Sequence, residues 1–389
     1  MEKDFSYVDK LFEQSFSYKP NKHFVSYGRI EIIGNHTDHQ GGRCLVGTCS
    51  QEIKGSLSKR DDDVINFISE GYEPIHLNIK DLEQNKNEYG TSLSLIKGVL
   101  KGYKDHGYNI GGFDTTIISN IYKGAGVSSS AAFELYVAEV LNVLFNEGKV
   151  SKIEKAKIGQ FAENVYFGKA SGLLDQSGSS FGGICFLDFS DSKNPIVEPL
   201  KMPSWPVKIF IVNPGSSHEG LSDLYSEMPN DMKYVAKTVF DKNVLSEVSL
   251  KEFYAKIYDA KINDRARNRA LYFMSENSRV LRAKKAIETN NFDWFLETLK
   301  ETQLAQMSLL KNVMIEGHYS HSPLEAVDRA SMFLDRGSPR VMGGGLAGSI
   351  ICFVPNEEVE GFLKGMKQYY SNDNIVEVFV PSDGAHEVK

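Results

Sequence analysis

Three clusters of glycine and polar residues stand out as places where this chain could do chemistry. The first, Gly28–Gly42 (GRIEIIGNHTDHQGG), carries Arg29 on an apolar stretch and ends in Asn35-His36-Thr37-Asp38-His39. Hydrogen-bond donors mixed with one carboxylate suit a polyhydroxylated ligand, whereas His36 and His39 have no third ligand at metal spacing. Polar turn residues also serve chain reversal alone. The second, Lys123–Glu134 (KGAGVSSSAAFE), places Gly124 and Gly126 in a turn before Ser128, Ser129 and Ser130, which open an apolar helix. A helix start with free N–H groups and partial positive charge suits a phosphate chain. Its hydroxyls can cap the helix, bond phosphate oxygens or hold Mg2+. No Gly-Lys-Ser/Thr follows a glycine turn, so this is not a Walker loop. The third, Arg340–Ser349 (RVMGGGLAGS), fits GxGxxG through Gly343, Gly345 and Gly348. It precedes a strand instead of following one, which argues against a dinucleotide-binding oxidoreductase. A glycine loop feeding a strand lets backbone approach a ligand closely, and a plain tight turn has the same composition.

The elements that must position these clusters follow from periodicity. Short β-branched or aromatic runs predict strands at His23–Ile33, Cys44–Cys49, Val64–Ser69, Ile75–Ile79, Phe113–Ser119, Ile184–Phe189 and Val207–Asn213. Helical spacing predicts helices at the N-terminus, over Ser92–His106, and from about 129 to 145 and 151 to 167. Lys193–Pro206 holds four prolines, which interrupt ladders and helices, and is the expected domain junction. Beyond it, Met232–Asp241, Asp264–Thr289, Phe292–Asn312 and Pro323–Leu334 read as helices. A strand at Ser349–Val354, a helix at Glu357–Tyr369 and a strand at Ile375–Val380 close the chain. The expected fold class is α+β, with domains at 1–205 and 206–389.

Composition narrows the function classes. At 389 residues a single core is too small a plan, so two domains, or one large domain with an appendage, are expected. A net charge of −7 disfavours nucleic acid as a partner. Four cysteines without CxxC or Cys/His clustering argue against zinc and against a disulfide framework. With no signal-peptide core and no apolar run of spanning length, a cytoplasmic protein without a membrane partner is expected.

Taken together and in this order, the clusters resemble the three motifs of the galacto-, homoserine-, mevalonate- and phosphomevalonate-kinase superfamily. Gly28-Arg29, Ile32-Ile33-Gly34, His36-Thr37-Asp38 and Gly41-Gly42 narrow the resemblance to its galactokinase family. Ala162-Glu163, Ser171–Gln176 (SGLLDQ) and Arg279 also match. The resemblance implies a two-domain small-molecule kinase fold, with an N-terminal ribosomal-protein-S5-like domain and a C-terminal ferredoxin-like domain. It implies phosphorylation of the anomeric hydroxyl of galactose by ATP with Mg2+, in a monomer or weak homo-oligomer. Asp175 is then the expected base and Arg29 its charged neighbour. Gly124, Ala125, Gly126, Val127, Ser128, Ser129 and Ser130 would wrap the phosphates, and Ser130 and Glu163 would hold the metal. Asn35, His36, Asp38, Gly172, Asp175 and Tyr225 would line the sugar pocket.

Departures from the family pattern bear on substrate. Ser26-Tyr27-Gly28 replaces Ala-Pro-Gly, Glu31 stands where the family has Asn, and Gly345-Leu346-Ala347-Gly348 replaces Gly-Phe-Gly-Gly. Asn35 stands where the family has a sugar-contacting Glu, which opens galacturonate or N-acetylgalactosamine as alternative substrates. On this reading Asn35→Glu leaves galactose use unchanged or improved. A sugar sensor without catalysis is the remaining alternative, and the intact Ser129-Ser130-Ala131-Ala132 favours an enzyme.

Overall fold

A computed structural model describes residues 4–121, 126–169, 171–191, 194–216 and 221–389. Strands β1 (Lys22–Ile33), β2 (Arg43–Lys59), β3 (Val64–Ser69), β4 (Ile75–Asn78), β5 (Phe113–Ser119), β6 (Ile184–Asp188) and β7 (Ile196–Leu200) belong to an eight-stranded sheet. β8 (Val207–Val212), β9 (Ser338–Val341), β10 (Ile350–Pro355) and β11 (Ile375–Val378) form a four-stranded antiparallel sheet in the order β11-β8-β10-β9. β12 (His386–Val388) returns to the first sheet and pairs with β1, which the division at 205/206 does not anticipate. The helices are α1 (Phe5–Phe16), α2 (Ser92–Asp105), α3 (Ser129–Phe145), α4 (Lys152–Phe161), α5 (Leu174–Phe181) and α6 (Ser222–Phe240), then α7 (Leu250–Lys256), α8 (Asp264–Glu288), α9 (Phe292–Ala305), α10 (Pro323–Ser331) and α11 (Val359–Met366).

β2 is far longer than the expected Cys44–Cys49. Its first part pairs with β6 and its second with β5, while β1 runs alongside both. The proline-rich segment read as a junction contains β7. Pro199 is tolerated there because β7 is an edge strand that pairs with β6 alone. The helix expected over 151–167 is α4 followed by a π-helical turn, Ala162–Phe167. Ser171–Gln176 leads into α5, which its Gly- and Ser-rich sequence conceals; burial of Leu174, Gln176, Ser177 and Gly178 holds it instead of propensity.

The two sheets share a core. Ile30, Ile32 and Leu45 of the first pack in one apolar cluster with Ile209, Ile211, Ile351 and Phe353 of the second, and with Val280 of α8 and Phe295 of α9. All four cysteines are buried and free.

Candidate active site

β1 brings Arg29 up against both the serine segment and α5. Arg29 N–H donates to Val127 O at 2.8 Å, and its guanidinium Nη1 donates to Gly126 O at 2.5 Å. Its Nε donates to Asp175 Oδ1 at 2.7 Å, and Ser128 Oγ donates to Asp175 Oδ2 at 2.6 Å. Ser128 is the residue before α3, yet its hydroxyl makes no helix cap and turns to Asp175. Its φ of 59° is left-handed, a conformation that strains a non-glycine residue. α5 can approach this closely because Gly178 lacks a side chain: a Cβ there would lie 2.7 Å from Arg29 Cβ. Burial pushes the Asp175 carboxyl up, but Arg29, Lys169 and the Ser128 hydrogen bond outweigh it and hold Asp175 below the usual range. Asp175 is therefore an ionised, oriented carboxylate.

The π-helical turn carries a second acid. Glu163 is fully buried, and its Oε1 accepts from Ser130 Oγ and Lys169 Nζ, each at 2.7 Å. Its Oε2 accepts from Ser171 Oγ at 2.7 Å and Gln176 Nε2 at 2.8 Å. Gln176 also donates to Glu134 Oε2 at 3.0 Å, and burial followed by the charge of Glu163 pushes the Glu134 carboxyl well up from the usual range. Ser130 and Glu163 together form a hard oxygen donor set.

The polar turn after β1 meets the third glycine loop. Asn35 Nδ2 donates to Glu31 Oε2 at 2.8 Å and to Gly343 O, and Asn35 Oδ1 accepts from Asn312 Nδ2 at 2.7 Å. Glu31 is tied in turn to the fully buried Arg340, Oε1 to Nη2, at 3.1 Å. His36 Nε2 lies 3.0 Å from Gly344 O, and its Nδ1 lies 3.3 Å from His39 Nε2. Burial pushes both imidazoles down, so both are neutral. One tautomer assignment satisfies the row: His39 Nε2–H donates to His36 Nδ1, and His36 Nε2–H donates to Gly344 O. Tyr225 OH donates to Gly345 O at 2.8 Å. Asp38 presses on Gly172, where a Cβ would fall 1.7 Å from Asp38 Oδ2, so only glycine fits. Burial, with the charge of Asp175 adding to it, pushes the Asp38 carboxyl up to about 6.

The structure thus gathers Arg29, Asp175, Ser128, Ser130 and Glu163 around one point, with Asp38 and Gly172 beside them. Asn35, His36 and Tyr225 meet the third glycine loop, each bonded to a different glycine carbonyl. Gly126 and Val127 lie against Arg29, Ser129 is exposed at the start of α3, and Gly124 and Ala125 lie outside the described residues. Sequence reasoning missed Lys169, Ser171 and Gln176 as partners of Glu163, although the latter two lie within the matching SGLLDQ segment. A cavity of about 190 Å³ lined by Arg43, Ser246, Phe273 and Asn277 holds none of these groups.

Comparison with known proteins finds family matches over the first two of these clusters. Residues 94–183 match the family model of the GHMP kinases N terminal domain, and residues 10–59 match the galactokinase galactose-binding signature. A galactokinase of Clostridium perfringens is 30% identical over 373 residues, covering 94% of each chain. That of Clostridium tetani is 29% identical, covering 94% of this chain and 92% of its own. The crystal structure of Lactococcus lactis galactokinase complexed with galactose superposes with a TM-score of 0.85 at 26% identity, over 99% of both chains. A mevalonate kinase with a TM-score of 0.66 at 18% identity shares the fold.

Proposed function

Because the chain belongs to the galactokinase family, we propose that it phosphorylates the anomeric hydroxyl of galactose with ATP, giving galactose 1-phosphate and ADP. The observation that carries this reading is the Arg29–Asp175–Ser128 constellation, a half-buried ionised carboxylate at the start of the serine-led helix. Asp175 takes the proton from the sugar O1 hydroxyl as O1 bonds to the γ-phosphorus and the bridging P–O bond to ADP breaks. Arg29 keeps Asp175 ionised and faces the charge that develops on the transferring group. In a loose transition state, holding O1 in line matters as much as taking its proton. The segment from Gly124 to Ser130 supplies backbone amides to the phosphates.

Ser130 and Glu163 fit Mg2+ in donor type, one neutral oxygen and one carboxylate. Bound there, the ion would offset charge on the phosphate oxygens. Asp38 and Gly172 bound the sugar side, with Asn35, His36 and Tyr225 behind them. Asn35 is neutral, and its amide already serves Glu31 and the carbonyl of Gly343, so it offers a hexuronate carboxylate neither a charge nor a free donor.

A coupled ADP-release assay over hexoses and hexuronates tests the reading. Mg2+-dependent turnover with galactose and little with glucose is expected; faster turnover of galacturonate would overturn the substrate. Asp175→Asn is expected to fold and bind nucleotide but lose about 10²–10⁴-fold in kcat. A wild-type rate in that variant would remove Asp175 from the chemistry.

A further inference from the structure

All four lone-pair directions of the Glu163 carboxylate are occupied, by Ser130, Lys169, Ser171 and Gln176. A cation reaches this carboxylate only by replacing one of these donors. Ser171 and Gln176 hold Oε2, the oxygen turned away from Ser130. On Oε1, the Ser130 hydroxyl need only rotate its proton, since its own lone pairs suit the same cation. Lys169 Nζ is the charged donor on that oxygen. Its side chain is 53% exposed, although the carboxylate it pairs with is fully buried. The ammonium thus reaches inward from solvent on a flexible stem that returns to water readily. Its backbone is anchored independently: Lys169 N–H donates to Glu163 O at 3.1 Å, closing the π-helical turn beyond Gly168. The anchor and the ion pair are therefore separate, and the side chain can leave without unravelling the turn.

We propose that Lys169 is a tethered counter-ion of the metal-binding carboxylate, which neutralises Glu163 while the metal is absent and is displaced when a divalent cation binds. The inference rests on the assignment of Ser130 and Glu163 to the metal. It makes Lys169 a positioning residue, through which the protein sets its own metal requirement by internal competition.

Mn2+ titrated into the full-length, nucleotide-free protein and followed by the EPR signal of the free ion tests this. Lys169→Met is expected to bind Mn2+ about three- to tenfold more tightly, the size of one partly exposed ion pair. Lys169→Arg keeps the charge and is expected to stay within about twofold of wild type. The Mg2+ concentration for half-maximal turnover should fall by the same factor in Lys169→Met. Unchanged or weaker Mn2+ binding in Lys169→Met overturns the proposal, as does equal tightening in Lys169→Arg. Glu163→Gln separates the two readings. If it abolishes Mn2+ binding while Lys169→Met has no effect, the competition falls and the metal assignment stands; if it binds Mn2+ like wild type, both fall.

Discussion

Asp38 and Asp175 show how one small volume gives two carboxylates different charge states. Asp175 has Arg29 and Ser128 as partners and is ionised, whereas Asp38 is half-buried beside that charge and sits near 6. A sugar hydroxyl donates to a carboxylate better than to a neutral acid, so galactose affinity should fall as pH drops through about 6 and protonates Asp38. Calorimetry at pH 6 in buffers of different ionisation enthalpy should then show about half a proton released on galactose binding. No proton release would remove Asp38 from the sugar contacts. Asn35 requires a change of expectation. Its replacement by Glu looked tolerable in sequence, but the amide bonds Glu31 at 2.8 Å. Asn35→Glu would set two buried carboxylates together and orphan the carbonyl of Gly343, a penalty on the order of 3 kcal/mol in thermal unfolding. Because the family types at 31 and 35 are exchanged in this chain, the double variant Glu31→Asn, Asn35→Glu should recover part of that loss, the remainder going to the buried Arg340 that loses its carboxylate partner. Asn35→Glu as stable as wild type would refute the exchange. Motif residues such as Arg29, Asp38 and Asp175 were legible because their order and spacing carry the resemblance. The pairing of 31 with 35, or of 169 with 163, was not, since neither spacing nor residue type announces which side chains close a buried network.

At the scale of elements, the acids are positioned by segments that local preference describes poorly. Glu163 stands on a π-helical turn, and Asp175 opens a helix of serines and glycines. Such insertions recur at functional sites, where an extra residue re-aims a side chain. Helical periodicity through 151–167 located the element, but the i→i−5 turn within it leaves the same apolar pattern. Most strands were readable from their β-branched runs; β7, β9 and β12 were hidden, β7 by prolines, β9 by its four residues (Ser338–Val341) running into the third glycine loop, and β12 by its three-residue length. α2 fixes the π-helical turn through Gly98, where a Cβ would lie 2.7 Å from Ala162 Cα. Gly98→Ala must therefore push backbone, and is expected to lower stability by about 1–3 kcal/mol and to raise the Mg2+ needed for half-maximal turnover. Gly361→Ala is the contrast: on α11 a Cβ meets nothing within 4 Å, so a gain of roughly 0.5–1 kcal/mol is expected. Denaturant unfolding of both variants decides whether close packing or lost glycine entropy governs each site.

At the scale of the molecule, the C-terminal segment joins the second sheet to the helix that carries Asp175. After β11 the chain crosses back to the first sheet, where Pro381 O accepts from Gly183 N–H at 2.8 Å and Ala385 N–H donates to Ser179 O at 3.1 Å. β12 then pairs with β1 from His23 to Val25, and Glu387 meets Lys22. Gly384 lies so close to α5 that a Cβ would fall 2.2 Å from Ser180 O. The last nine residues are thus a clasp on the C-terminal end of α5, whose first turn holds Asp175 against Arg29. Removing 381–389 strips these bonds and uncovers an edge of β1, while the apolar cluster that unites the two sheets keeps most of its members. The truncated protein should therefore still unfold in one transition, at a Tm lower by several degrees. Its kcat should fall more than its KM for ATP rises, because α5 loses its rear support while the start of α3 does not. Amide exchange should quicken in α5 first. An unchanged exchange rate there, with a lowered Tm, would reduce the clasp to a general contribution to stability.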